Sequence, residues 1–156
     1  LAMSYQSLGL ELFYAERYVE ANAALTKSRA LMETVLAASP GQNSRIYDYA
    51  GVLAALGMSE SKLGRHQSGV DLLRQAIDVT GGEVAMKKPS DRLEYQAALG
   101  DALYALAAST GSADTRRQAL EAWRASVDGM LRLKAKGELP ASMEARLTEI
   151  EGKLRR

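Results

Sequence analysis

Apolar side chains recur every three or four residues along almost the whole chain, which is the spacing that places them on one face of an α-helix. Alternating runs of β-branched and polar residues, the pattern of a half-buried strand, do not occur. The sequence therefore predicts an all-α protein. The expected helices cover about residues 2–15, 18–38, 44–63, 66–79, 90–108, 115–136 and 141–154.

Two of the predicted helix starts carry residues that can cap a helix. Ser90 or Asp91 can accept a hydrogen bond from the free backbone amides at the start of the fifth helix. Thr115 and Gln118 have the spacing of a capping box, which predicts the start of the sixth helix at Thr115. A polar loop, "TGGEVAMKKPS", separates the fourth helix from the fifth.

The helices repeat in pairs. Three Leu-Gly dipeptides lie in the similar phrases "YQSLGLEL", "LAALGMSE" and "QAALGDAL". In the helix after each phrase, a small residue is followed four positions later by a large one, and three positions after that by serine or alanine. Small residues let two helices cross closely, and the large side chain fills the adjoining groove. The sets in chain order are Ala21, Leu25 and Ser28; Gly69, Leu73 and Ala76; and Ala119, Trp123 and Ser126.

These paired phrases resemble the tetratricopeptide repeat (TPR), whose helix-turn-helix signature includes W-x2-L-G-x2-Y and then A-x3-F. Tyr18 and His66 match the aromatic position after the inter-helix turn, and Gly64 matches the glycine of that turn. The resemblance covers about residues 1–133. It implies an α-α superhelix, a TPR-like solenoid of three long helical hairpins, with a C-terminal capping helix. The implied single domain, 1–156, has repeats at about 1–40, 44–81 and 90–136 and the capping helix at about 141–154.

Two features depart from the TPR pattern. Glu60 stands where the signature has tyrosine, and a carboxylate is not an apolar substitute. Gly9, Gly57 and Gly100 of the Leu-Gly pairs are separated by 48 and then 43 residues, whereas the standard repeat has about 34. The repeats are therefore expected to have longer helices or inserted loops.

The longer spacing and the phrases "LAMSYQSLG", "KSRA" and "AASP" are similar to the TPR tails that follow the catalytic domain of many bacterial serine/threonine protein kinases. The kinase's own motifs, a glycine-rich phosphate loop, H-R-D and D-F-G, do not occur in this sequence. Since the sequence opens on Leu1 and not on methionine, we expect a fragment of a longer protein. Any kinase activity would belong to another part of that protein.

Composition narrows the classes of partner. A formal net charge of +1 provides no strong field, so nucleic acid is not expected as a partner. No apolar run approaches the roughly 18 residues of a membrane span, so membrane insertion of this segment is not expected either. Without cysteine there is no disulfide, no thiol nucleophile and no Cys-ligated zinc. The compartment stays open: the cytoplasm is favoured, and an extracytoplasmic location follows if a membrane span precedes this region.

His66, the single histidine, is the first candidate for chemistry. A catalytic or metal-bound histidine needs an orienting carboxylate or further ligands, and no H-E-x-x-H or E-x-x-H spacing exists. We interpret it as a packing residue. The acidic pairs Glu149 with Glu151 and Asp101 with Glu94 are interpreted as solvated helix faces, because carboxylate metal sites in helix bundles normally recruit E-x-x-H pairs. We predict no catalytic residue, no metal site and no cofactor.

The inner face of the first helices is the predicted binding surface, because these helices line the concave side of stacked helical repeats. The resulting groove is apolar and methionine-bearing at one end and acidic at the other. A further apolar stripe along the last helix is expected to cap the third hairpin. The groove residues are Met3, Gln6, Leu10, Phe13, Ala54, Met58, Ser61, Lys62, Glu94, Ala97, Asp101 and Tyr104, and the stripe residues are Met143, Leu147, Ile150 and Leu154.

We therefore expect a noncatalytic scaffold or sensory module for signalling, which binds a protein or peptide segment in the groove. Three alternatives stay open. The apolar groove could pair with a second copy to form a homo-oligomer, it could pack against a repeat outside this sequence, or the chain could enclose a small ligand.

Overall fold

The computed structural model describes residues 1–81 and 88–156, and the all-α prediction is confirmed for them. Contacts divide the chain into two compact units, Leu1–Met86 and Lys87–Arg156. The single domain expected over 1–156 stays a prediction, and most of the expected polar loop lies outside the described residues. The helices in the described ranges are α1 (Ala2–Tyr14), α2 (Tyr18–Ala38), α3 (Asn43–Lys62), α4 (His66–Val79), α5 (Pro89–Thr110), α6 (Ala113–Ala135) and α7 (Ala141–Leu154).

The first unit contains two helical hairpins that share one turn geometry. α1 packs on α2 and α3 packs on α4, while α2 also packs on α3 and α1 touches α3. Glu16 and Gly64, each seven residues after a Leu-Gly glycine, have left-handed backbone with φ of 59° and 81°. The next residues, Arg17 and Arg65, have φ and ψ of −89° and 65° and of −87° and 62°. The repeated sequence therefore folds into a repeated turn.

The second unit contains a longer hairpin and the last helix. α5 packs on α6, and α6 packs on α7. Its crossing residues Gly100 and Ala119 are 19 residues apart, against 12 in each of the first two hairpins. The seven added residues correspond to about two helical turns. One turn extends the end of α5 and the other the start of α6, so the crossing keeps its place while the hairpin lengthens.

All three hairpins contain the predicted crossing of a small residue and a large one. Each Leu-Gly glycine is buried, and a side chain there would overlap the large residue of the second helix. Close approach of the two helices therefore depends on glycine at this position. A Cβ built on the glycine would lie 2.5 Å from Leu25 Cγ at Gly9, 2.8 Å from Leu73 Cγ at Gly57, and 2.2 Å from Trp123 Cδ1 at Gly100.

A second contact, a hydrogen bond from the second helix to the first, occurs within two of the three hairpins. The hydroxyl of Ser28 donates to the carbonyl oxygen of Ala2 at 2.8 Å, and that of Ser126 donates to the carbonyl oxygen of Leu93 at 2.7 Å. Both carbonyls belong to the residue seven positions before the Leu-Gly glycine. The middle hairpin has Ala76 at the corresponding place, which has no hydroxyl to donate.

The structure corrects two predicted helix starts. α5 begins at Pro89, so both expected cap residues lie inside its first turn. Proline has no amide to cap, and its fixed φ suits the first helical position. α6 begins at Ala113, two residues before the expected start at Thr115. Ser112 is the N-cap, and its side chain accepts from the backbone amide of Thr115 at 3.1 Å.

Candidate functional site

Four of the predicted groove residues lie along α1 in the first unit. Met3 is 51% exposed, whereas Gln6, Leu10 and Phe13 are half-buried. The Phe13 ring meets the Tyr18 ring edge-on at 5.4 Å, which fixes it at the turn. The amide oxygen of Gln6 is buried and has no hydrogen-bond partner among the described residues. α1 therefore presents an apolar edge, and the unpaired oxygen of Gln6 is buried beside it.

The four predicted residues of α3 do not share one surface. Ala54 is fully buried, so in this structure it is not available to a partner. Ser61 faces α4, where its hydroxyl lies 3.2 Å from Nδ1 of His66. Met58 is half-buried and Lys62 is exposed. Of the four, only Met58 and Lys62 keep surface on α3 that a partner could reach.

Three of the four predicted residues of α5 meet α7 in the second unit, and the fourth, Tyr104, packs on Trp123 of α6. Ala97 is fully buried in an apolar cluster that includes residues of α7. Asp101 and Glu94 form ion pairs with Arg146 of α7, the second at 3.3 Å. Tyr104 is 40% exposed. The end predicted to be acidic is therefore paired with cations from its own unit, while the side chains of Glu94 and Asp101 each stay 37% exposed.

Asp101 is the centre of this ionic cluster. Its Oδ1 accepts from the indole Nε1 of Trp123 at 3.1 Å and from Nζ of Lys153 at 2.9 Å, while its Oδ2 accepts from the guanidinium of Arg146. Glu149, one turn from both cations along α7, pairs with each of them. The cluster thus links α5 to α7 through ion pairs, and α6 joins it through the indole of Trp123.

The pKa shifts follow from this sharing of cations. Burial opposes the charge of Arg146, but Asp101 and Glu94 outweigh it and raise its pKa. Burial raises the pKa of Glu94, and the nearby cation does not offset that effect because other carboxylates crowd it. Burial acts to raise the pKa of Glu149, but the hydrogen bonds and charges of Lys153 and Arg146 together outweigh it and lower that pKa. Arg146 is therefore held charged, whereas Glu94 ionises less readily than an exposed glutamate.

Glu60, the residue that departs from the TPR pattern, is bound on all sides in the first unit. Its carboxylate accepts from Asn22 Nδ2 at 2.6 Å and from two guanidinium nitrogens of Arg65 at 2.6 Å each. The hydrogen bonds from Arg65 hold the pKa of Glu60 below its ordinary value. Sequence reasoning missed the pair of Glu60 and Arg65. A usable signal was present, because Arg65 follows Glu60 by five positions and stands just past the turn.

His66 stands at the start of α4, where Tyr18 stands at the start of α2. Its placement agrees with a packing position after the turn. Among residues 1–81 and 88–156, no group of three or more His, Cys, Asp or Glu side chains could hold a metal ion. In the same ranges, no helix has the length and apolar character that a membrane span requires.

Sequence reasoning also missed the outer face of α1. Leu1 and Leu8 are 80% and 46% exposed. Their equivalents in α3, Tyr49 and Leu56, are only 8% and 3% exposed because α2 packs on that side of α3. The available signal was the alignment of equivalent positions in the repeats, since it shows which side of a first helix packs against a neighbouring helix.

Comparison with protein-family models, with curated proteins and with solved structures found no match for this chain.

Proposed function

We propose that this chain is a TPR-like helical-repeat module that binds a protein or peptide segment and catalyses no reaction itself. The apolar edge of α1 and α3, formed by Met3, Leu10, Phe13 and Met58, carries this proposal. It exposes methionine and aromatic surface on helices that the hairpin crossings hold in place. Such an edge is ordered before a partner arrives, so binding loses less conformational entropy.

The repeated geometry supports the TPR-like part of the proposal. The hairpins share the crossing of a small residue and a large one, and two share the left-handed turn. A superhelical stack of these hairpins would extend the edge into a groove lined by first helices. Lys62 is the one exposed cation among the groove residues, so we propose an apolar segment as the ligand and not a clamped C-terminal carboxylate.

In the same proposal α7 is the capping helix. It packs on α6 in the second unit, as α3 packs on α2 in the first. Its stripe residues Met143, Leu147 and Ile150 are buried there with Val127 and Trp123. A terminal helix that buries such a stripe keeps the last hairpin from exposing apolar surface.

We further propose that the module is the sensory or scaffolding tail of a bacterial serine/threonine protein kinase. The phrases "LAMSYQSLG", "KSRA" and "AASP" support this assignment. The complete reading frame tests it: a kinase domain upstream is expected, and a complete short frame that begins near Leu1 would contradict it.

Peptide selection tests the binding function. Peptides selected on the immobilised chain from a random display library would be measured by calorimetry against the unaltered chain and two variants. Met3→Glu places a charge on the apolar edge and should weaken binding about tenfold or more. Val19→Glu alters an exposed residue of α2, 67% exposed, and should leave binding unchanged. Failure to select any peptide, or equal binding to both variants, would overturn the proposal.

Self-association is the second candidate function. The exposed outer face of α1, with Leu1 and Leu8, favours it because apolar residues there have the positions that a neighbouring helix covers in α3. Sedimentation velocity over a wide concentration range separates the two candidates. A peptide-binding module stays monomeric throughout, whereas self-pairing gives a larger species that Leu8→Glu abolishes.

A further inference from the structure

α5 and α6 build a surface in the second unit that combines an apolar floor with an acidic edge. The floor consists of Ala97, Trp123, Val127 and Met130, all of which are buried beneath or beside α7. The edge consists of two carboxylates that lie seven residues, or about two turns, apart on α5. These are Glu94 and Asp101, and neither has a cation on α5 or α6 among its ion pairs in the described structure.

α7 fits this surface through one pattern of side chains. Its apolar residues Met143, Leu147 and Ile150 stand at positions i, i+4 and i+7 and join the floor. Its cations Arg146 and Lys153 stand at i+3 and i+10 and bind the acidic edge. Lys153 Nζ also lies 5.3 Å from the centre of the Trp123 ring. A helix with this apolar stripe and with cations at these two positions is therefore complementary to the surface in both shape and charge.

α7 is attached differently from the helices of the hairpins. Its only glycine, Gly152, has no atom within 4 Å of an added Cβ, so it makes no close crossing. The apolar stripe and the ion pairs with α5 are thus its main attachment to the rest of the unit.

We propose that this surface is a binding site for an amphipathic helix that carries two cations beside its apolar stripe, that α7 is its built-in occupant, and that an external helix of the same pattern binds by displacing α7. The external helix would have apolar residues at i, i+4 and i+7 and cations at i+3 and i+10. The site lies wholly in the second unit, so it does not depend on the apolar edge of α1 and α3.

Weakening the built-in occupant tests this proposal. The probe is a fluorescently labelled synthetic peptide of residues 139–156, measured by anisotropy against the full chain. Arg146→Gln with Lys153→Gln releases α7 from the acidic edge and retains its apolar stripe. The matched control, Arg155→Gln with Arg156→Gln, removes the same charge from exposed positions beyond the stripe. The released variant, Arg146→Gln with Lys153→Gln, should bind the peptide about tenfold more tightly than the unaltered chain or the control. In this variant α7 competes less well for the site.

A third substitution shows whether the peptide uses the acidic edge. Asp101→Asn keeps an oxygen for the Trp123 indole but removes the charge, so in the released variant it should weaken peptide binding about tenfold. Equal affinity of the peptide for all chains, no binding to the released variant, or no effect of Asp101→Asn would overturn the proposal.

Hydrogen exchange of the unaltered chain gives a readout that needs no variant. Raising the salt concentration from about 0.05 M to about 0.5 M shortens the range of charge interactions to a few ångströms. Exchange of the α7 amides should then accelerate several-fold while that of the α6 amides stays unchanged. Emission from Trp123, the only tryptophan, should change in parallel because Lys153 leaves its ring. If α7 and α6 exchange together at both salt concentrations, α7 is not displaceable and the proposal fails.

Discussion

Gly100 and Trp123 approach so closely that no side chain larger than hydrogen fits at position 100. An added Cβ would lie 2.2 Å from Cδ1 and 2.5 Å from Nε1 of the indole. The indole is held in place from two sides, by the carboxylate of Asp101 at 3.1 Å and by the ring of Tyr104 at 5.2 Å between centroids. Trp123 therefore cannot turn away from a new methyl group without losing both contacts.

Gly100→Ala should accordingly destabilise the second unit. We expect the free energy of unfolding to fall by about 2–3 kcal/mol, the upper part of the range for overpacked cores. Gly152→Ala is the matched control, because space around that helical glycine is open and alanine is the better helix former by up to about 1 kcal/mol. Urea unfolding followed by circular dichroism measures both. An unchanged midpoint for Gly100→Ala would show that the crossing does not require glycine.

The repeated serine contact gives a second prediction. Ser126→Ala removes a buried hydrogen bond to the carbonyl of Leu93 and should cost about 1 kcal/mol, because that carbonyl still serves its own helix. Ala76→Ser places a hydroxyl at the equivalent site of the middle hairpin, where the carbonyl of Ala50 has the matching register. We expect Ala76→Ser to be tolerated within about 1 kcal/mol. A loss of several kcal/mol in the same unfolding assay would mean that the hairpins are not equivalent there.

The features that the sequence predicted correctly are local ones. Helix positions follow from apolar spacing, and the Gly57 crossing follows from small and large residues a few positions apart, since both depend on one or two helices. The contact of Arg146 with Asp101 could not be predicted in this way, because the two residues are 45 positions apart and meet only after α7 packs. Ala54 shows the other source of error. It was assigned to the groove by its position in the repeat, but that position does not reveal which residues of a first helix a neighbouring helix covers.

His66→Tyr tests whether the single histidine is a packing residue. Tyr18 stands at the equivalent position of α2 and meets Phe13 at 5.4 Å, so an aromatic ring suits this place after the turn. The substitution removes the contact with the hydroxyl of Ser61, which is half-buried and can turn to water. We expect a change in unfolding free energy within about 0.5 kcal/mol. A loss above about 2 kcal/mol, with Ser61→Ala harmless, would show that the histidine has a role that packing does not explain.

The Glu60 carboxylate gives the last prediction, which concerns pH. Hydrogen bonds from Arg65 lower its pKa in the folded chain below the ordinary 4.5, so its stabilisation is complete above 4.5 and is lost as the pH falls through the lowered value. Glu60→Gln keeps the shape but removes the charge, which should cost about 1–3 kcal/mol at about pH 7.

The difference in free energy of unfolding between the unaltered chain and Glu60→Gln should therefore shrink as the pH falls below 4.5. Protonation then removes the carboxylate charge of the unaltered chain, which the variant already lacks. Urea unfolding at a series of pH values measures it. Glu20→Gln is the control: Glu20 also pairs with an arginine, Arg17, but it is exposed, so little change is expected at any pH. A difference that stays constant down to acid pH would contradict the assignment, since the stabilisation would then come from the shape of the Glu60 side chain and not from its charge.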